Sequence, residues 1–430
     1  MIQLDENCKF KLELRLEAQM PMIHFQSQMA GATIRASEVK PKLDRFILEK
    51  LIQKTKKNKE ELKADPEFIP LFLDAKSNTN DGFDYKMQIT VANRVQEIDL
   101  NNDEKNYSIF YANMGRESDK KIYGVFSNPI VTIICFKEEL RKLLIQYLEE
   151  FFLVTNFGTM QNKGFGSFAP VGWCNKGVLN NVQEKEIASY YQSLIPGCHC
   201  YAIRFNGMQN RSLDVLNTAC QEKSEVIKSF YSNMKSGQNF GGYSRSYIYT
   251  YMHNVYNMGN EKAWMKKEGI SPKLAKPDNG NEEKWKKQEA CQDKYYYVRA
   301  FLGIGKNISY AKKYKPGTTN IDAKDKAKVT VTSEKFDRIS SPIYFKVIHN
   351  VIFIVAFEVP EELYGEVFQF ESDYKGGQSG KLTVPKKEEL KKTGGKFDIQ
   401  KFMDSYVKYY NTELPTKIRG IKKKVVKIDA

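Results

Sequence analysis

The sequence predicts an α+β fold, and three observations predict it. Apolar and polar residues alternate through Phe10–Ile23, the mark of a strand with one buried face. Pro129–Phe136 is a continuous apolar run of strand length, and just beyond it Leu140, Leu143, Leu144, Tyr147, Leu148 and Phe151 share one side of a helix. The elements follow one another as strand, helix, strand, strand, helix, strand.

Taken in order, the loop HFQSQMAGATIRA follows the first strand. Ser37 is placed to cap the next helix, and Pro41 falls near its first turn, where a missing N–H does least harm. Val39, Leu43, Phe46, Ile47 and Leu51 give that helix its buried face, and it runs out into a basic stretch, Lys54–Lys63. A strand is expected within Tyr85–Ile98 and a polar loop or hairpin over Asn101–Lys121. After the central strand a helix begins at Lys137, its early Glu138 and Glu139 complementing the helix dipole. It enters a glycine-rich loop, NFGTMQNKGFGSF, and a short strand ending near Trp173. This is the ferredoxin-like (RRM-like) plan, a four-stranded antiparallel sheet with two helices on one face, assigned to residues 1–175.

Residues 176–430 read as a degenerate second copy with helical and loop insertions. Its strands are expected at Cys200–Phe205, Tyr295–Leu302, Ile343–Ile348 and Val351–Val359. Its helices are expected at Asp214–Met234, within Tyr243–Lys267, and at Ile399–Tyr410 after a Gly/Lys-rich loop, Tyr374–Lys396. Lys273–Gln292 and Lys312–Lys328 are rich in lysine and poor in apolar residues, so they are expected as mobile loops. The tail KIRGIKKKVVKI suits an edge strand or a basic arm. No short-period repeat occurs, which excludes a solenoid.

Composition narrows the function. The 430 residues leave room for two domains, and the net charge of +15 points to a polyanionic partner, against the plainer reading of a merely soluble basic surface. No apolar run approaches the ~20 residues of a membrane span, and the opening MIQLDENCKF has no apolar leader core. The 7 cysteines are an odd number without framework spacing, as expected for reduced thiols in the cytoplasm.

Three stretches stand out as sites. In Phe157–Ser167, three glycines, Lys163 and side-chain amides follow a long helix; successive N–H groups there could cradle an anion, and Phe157 and Phe165 could stack on bases. A helix cap and tight turn would explain one of those glycines. It is not a Walker loop, because GK[ST] is absent. His24–Arg45 carries Arg35, Lys40, Lys42 and Arg45 around a helix start, suited to phosphate or simply to a solvated helix face. Arg338–Lys346 is an ordinary turn–strand signal. No metal or other cofactor is expected: His24, His199, His253 and His349 are scattered, and Cys198-His199-Cys200 lacks a zinc spacing. No nucleophile motif of the G-x-S-x-G kind occurs. Tyr243, Tyr247, Tyr249, Tyr251, Tyr256 and Tyr295–Tyr297 could offer stacking faces or fill a core edge.

These stretches resemble, in the same order, the RAMP superfamily of CRISPR-associated RNA-binding proteins, and most closely the first-numbered subunit of the type III-B (Cmr) effector complex. PMIHFQSQMAGATIRASEVKPKLDR is similar to its opening strand, loop and basic helix; NFGTMQNKGFGS to its glycine-rich loop; and RISSPIYFK to its second-domain strand opening. Gln161-Asn162-Lys163 stands where arginines are common in that loop. The resemblance implies RNA contact by Arg35, Lys40, Lys42, Arg45, Lys163, Gly164, Phe165, Gly166 and Ser167, with Arg338, Ser341 and Lys346 serving the second domain's sheet or its RNA face. It implies a non-catalytic subunit at the head of the complex, near the crRNA 3′ end, that helps capture target RNA alongside other RAMP subunits in antiviral defence. Phe25–Ala36 has no carboxylate, unlike the loop of the cleaving subunits. His24 keeps open a metal-independent endoribonuclease that processes crRNA, with His24 as general base. A basic scaffold for acidic protein partners is the third reading.

Overall fold

A computed structural model describes residues 2–5, 8–24, 33–76, 81–91, 95–100, 123–174, 178–207, 212–238, 244–270, 294–311, 326–373, 377–418 and 420–429. In the first part of the chain these form strands β1 (Gln3–Asp5), β2 (Cys8–Ala18), β3 (Met22–Ile23), β4 (Lys86–Val91), β5 (Gln96–Asp99), β6 (Tyr123–Phe126), β7 (Pro129–Ile134) and β8 (Phe168–Pro170). The helices between them are α1 (Ala36–Thr55), α2 (Lys59–Ala64) and α3 (Glu138–Val154). In β2, alternation buries Leu12, Leu14 and Leu16 and turns Lys11, Glu13 and Arg15 outward. The main sheet runs β8-β2-β7-β4, with β1 also on β2, and every pair is antiparallel. Helices α1 and α3 pack on each other and on the sheet's apolar face. Helix α1 begins without its expected cap: Arg35 takes the cap position in extended conformation, no side chain caps it, and Ser37 already lies inside the helix.

The second part carries α4 (Asn181–Leu194), β9 (His199–Arg204), α5 (Leu213–Lys235), α6 (Tyr247–Tyr256), β10 (Gly259–Asn260), α7 (Glu261–Lys267), β11 (Tyr295–Tyr296), β12 (Asn307–Ala311), β13 (Lys326–Thr332), β14 (Ile343–Ile348), β15 (Val351–Ala356), β16 (Val367–Ser372), β17 (Ser379–Thr383), α8 (Ile399–Thr412) and β18 (Val425–Ile428). Its main sheet runs β14-β15-β9-β18, again all antiparallel, so the central pair and the outer pair are arranged as in the first sheet. Phe230 of α5 packs edge-on against Tyr406 and Tyr410 of α8 and against Phe345 of β14. On the opposite face Tyr344 meets Tyr191 of α4 and donates to the carbonyl of Val154 at the end of α3. Both faces are therefore covered, and β15 is buried at every residue. This explains why its sequence is uniformly apolar instead of alternating.

The α+β class stands, with several local corrections. Tyr295–Leu302 is not one strand: β11 gives way to a 3-10 turn, Val298–Leu302. Lys326–Lys328 belong to β13, whose Val329 and Val331 are buried. The tail supplies β18, an edge strand on β9. The segment after Tyr374 contains β17 and a 3-10 turn, Lys387–Thr393, and not only loop. Helix α4 and the inserted antiparallel sheet β12-β13-β16-β17 were not expected from the sequence. Phe368 and Phe370 of that sheet pack on Tyr297 and Trp264. The expected loops Asn101–Lys121, Lys273–Gln292 and 312–325 lie outside the described residues, as do Phe25–Gly31 and Ala32 of the first loop.

Candidate nucleic-acid interface

The glycine-rich loop leaves α3 and closes on itself before β8. Asn156 bridges to Ser167, and the Phe157 N–H donates to the Gly166 carbonyl at 3.0 Å. Several of the loop's amides are bonded within the chain. Gly158 donates to the Glu38 carboxylate at 2.8 Å, Thr159 to Ile23 at 2.8 Å, Gly164 to Gln161 at 3.2 Å and Gly166 to Pro21 at 3.0 Å. The Glu38 carboxylate thus occupies the Gly158 amide. Gly166 has φ +64°, and a Cβ there would lie 1.9 Å from the Phe157 carbonyl oxygen, so this glycine answers a close backbone approach. Phe157 is fully buried and Phe165 is 1% exposed, so neither presents a face to a base. Gly164, Gly166 and Ser167 are buried with them. Gly164, Phe165, Gly166 and Ser167, the residues expected at the RNA, thus lie in the interior of this structure.

What the loop does contact is β14. Asn156 Nδ2 donates to the carbonyls of Gln161 (2.7 Å) and Phe345 (2.9 Å), and Ser167 Oγ donates to the Val347 carbonyl at 2.6 Å. Phe345 N–H donates to the Asn162 carbonyl, and Lys163 forms a bridge to Phe345. The Lys163 ammonium sits over the Tyr231 ring, 3.0 Å from its centroid. Burial pushes its pKa well below the ordinary lysine value, and Lys235 nearby adds to the effect. In this conformation the Lys163 ammonium is turned to the Tyr231 ring.

Lys346 lies in the interior as well. It is 0% exposed, and its Nζ donates to the carbonyls of Phe152 (2.8 Å), Thr155 (2.8 Å) and Phe168 (3.1 Å). Two of these close the C-terminal end of α3, where carbonyls lack partners within the helix. Burial lowers the Lys346 pKa well below its usual range; three carbonyls facing three N–H groups pull the other way. The two stretches that signal the family thus bind each other and form a seam between the two sheets.

The first helix is different. Arg35 and Arg45 are exposed, and so is Arg338 ahead of β14. Lys40 and Lys42 are half-buried and engaged: Lys40 with Asp44 (2.8 Å) and the Phe83 carbonyl (2.9 Å), Lys42 with Glu38 (3.1 Å), the Asn156 carbonyl (3.1 Å) and Gln161 (3.0 Å). Lys42 thereby braces the glycine loop from the helix side. His24 is buried at the end of β3. Sequence reading missed Asn156 and Tyr231, which hold the seam; an amide opening a glycine loop was the available signal for the first. Tyr247, Tyr249, Tyr251 and Tyr297 fill core, as the plainer reading had it, and Tyr243 lies outside the described residues. Among the described residues no group of three or more His, Cys, Asp or Glu is arranged to hold a metal ion. Nor is any helix among them long and apolar enough to cross a membrane.

Comparison with known proteins places the chain. No curated protein matches it. Among solved structures it is similar to Cmr1 from Pyrococcus furiosus in its apo form, with 11% identity over 82% of this chain and 88% of that one and a TM-score of 0.39. Residues 9–238 match the family model of the Cmr1 N-terminal domain, and residues 243–427 match that of the Cmr1 C-terminal domain. With both family models matched in order across nearly its whole length, the chain belongs to the Cmr1 family, subunits of the type III-B CRISPR (Cmr) complex.

Proposed function

We propose that this chain is a non-catalytic, cytoplasmic RNA-binding subunit of the Cmr complex, contacting crRNA near its 3′ end and helping to admit target RNA. We read each half, divided near residue 175, as a ferredoxin-like unit. The observation that carries the proposal is the match of both Cmr1 domains across the chain. The net charge of +15 and the outward Arg35, Arg45 and Arg338 supply the chemistry, since guanidinium groups pair bidentately with phosphate. An endoribonuclease would need a general base open to a 2′-hydroxyl, and the burial of His24 speaks against it.

The test is anisotropy with a labelled single-stranded RNA in EDTA across a salt series. Log affinity should fall linearly with log salt while the RNA stays intact. Replacing Arg35, Arg45 and Arg338 together with Ala should weaken binding at least ~10-fold and reduce the salt slope by about 2, at ~0.7 per phosphate contact. No binding at low salt would sink the proposal and leave the protein scaffold. Discrete cleavage that disappears in His24→Ala would establish the endoribonuclease instead.

A further inference from the structure

The two main sheets share a strand order but not an environment. The β14-β15-β9-β18 sheet is covered on both faces. The β8-β2-β7-β4 sheet has α1 and α3 on one face, and over β2, β7 and β4 its other face carries side chains that are half-buried or exposed. Register fixes what stands there. Lys86, Ile134 and Lys11 form one row across β4, β7 and β2; Gln88, Thr132 and Glu13 form the next; Thr90, Ile130 and Arg15 form the third. Lys86 and Lys11 stand two strands apart, about 10 Å, and Arg15 lies four residues, about 13 Å, along β2 from Lys11.

Where β2 and β7 run out, at the end of the sheet, lies an aromatic pair, with Phe10 on the helix side of β2 together with Leu12. Phe136, directly after β7, is 69% exposed, and Phe10 of β2 is 39% exposed. Their rings are 5.1 Å apart and tilted at 51°. The Arg141 guanidinium lies 5.7 Å from the Phe10 ring and also donates to the Cys135 carbonyl at 3.3 Å. Lys9 and Lys11 flank Phe10, and Lys137 follows Phe136. The neighbouring acids are engaged by lysines: Glu13 by Lys11, Asp84 by Lys137, Glu138 and Glu139 by Lys142.

We propose that this open face and the aromatic pair at its end form a platform for single-stranded RNA, with the backbone held by Lys11, Lys86 and Arg15 along the face and one base stacked on Phe136 beside Phe10 where the strand rounds the end of the sheet. Composition decides the occupant. The centres of protein–protein interfaces are depleted in lysine. Aromatic rings interleaved with cations along a groove or sheet are what single-stranded nucleic acid uses. The platform deepens the RNA-binding reading above and rests on it, but it uses a different surface from Arg35, Arg45 and Arg338.

The experiment measures anisotropy of a fluorescein-labelled 12-nucleotide oligouridylate with the full chain, over a salt series. Phe136 and Phe10 are exposed, so their variants should fold, and thermal melts check it. Phe136→Ala should weaken binding by about 5- to 100-fold without changing the salt slope, because stacking releases no counterions. Phe136→Trp should bind like the native chain. Lys11→Ala with Lys86→Ala should lower the slope by about 1.4. If the native chain binds and Phe136→Ala binds equally well, the platform is wrong while the RNA reading survives, and the patch becomes a protein-docking surface. If the native chain does not bind, both fall. Loss in Phe136→Ala with full binding in the triple-arginine variant would support the platform and overturn only the arginine assignment.

Discussion

The glycine-loop seam and the outer surface of α1 carry the same kinds of residue and do opposite things. In the seam, the Lys163 ammonium and the whole of Lys346 are buried, one over a tyrosine ring and one beneath three carbonyls. On the helix, Arg35 and Arg45 face solvent. The contrast even runs through one short stretch, Arg338–Lys346, whose first residue is exposed and whose last is fully buried. A basic residue's role follows from the acceptors within its reach. Charge in the sequence gives only the opportunity.

If that division holds, seam substitutions should change stability and outer substitutions should change RNA affinity. The largest effect is expected for Lys346→Met, which strips donors from three buried carbonyls. Urea unfolding should show a loss of roughly 3–5 kcal/mol. An unchanged midpoint would mean that the seam tolerates open carbonyls and that Lys346 serves something else. Gly166→Ala comes next: its Cβ would collide with the Phe157 carbonyl at a positive φ, for a loss of about 2–4 kcal/mol by the same assay.

A smaller effect is tied to pH. The Lys235 ammonium donates to the carbonyls of Leu302 (3.1 Å) and Gly303 (2.7 Å), and burial, with Arg299 close by, pushes its pKa down to about 7 from an ordinary 10.5. Between those values the unfolded chain holds a proton that the folded chain has shed. Lys235 should therefore add stability as pH climbs from about 7 towards 10.5, by at most ~1.4 kcal/mol per unit, on top of the same kind of rise from Lys163 and Lys346, whose values burial also lowers. Lys235→Met should make that rise shallower by up to ~1.4 kcal/mol per unit; a rise of unchanged steepness in the variant would assign all of it to the other buried lysines. The smallest stability change belongs to Arg35→Ala and Arg45→Ala, within about 0.5 kcal/mol by thermal melting, although these are the changes expected to loosen RNA. A drop of several kcal/mol would place these arginines with the seam.

Much of the fold was legible because its signals are local. The apolar stripes of α1, α3, α5 and α8 and the alternation in β2 follow from neighbours a few residues away. The inserted sheet was hidden because β13 opens on lysines, so its Val329-Thr330-Val331 alternation is short. The glycine loop's role was not legible at all. Its amides and glycines have the composition of an anion cradle, and only Glu38 on α1 and Phe345 and Val347 on β14 show where those groups are used. The Phe10–Phe136 platform had a local trace, Lys-Phe-Lys and Phe-Lys, that looks like the ragged end of a strand until the rings are seen outside.

The seam also sets a schedule for biogenesis. The Asn156 amide reaches a carbonyl 189 positions later in the chain, and the Ser167 hydroxyl one 180 positions later. At ribosomal rates of about 5–20 residues per second, the first half waits on the order of ten seconds or more before β14 emerges. Through that interval the end of α3 lacks the Lys346 ammonium and Asn156 has only its Gln161 partner, in a sheet that is otherwise ready to close. A fragment stopped at residue 175 is therefore expected to stay loosely packed, with fast hydrogen exchange across 152–168, and to tighten when the remaining residues are supplied in trans.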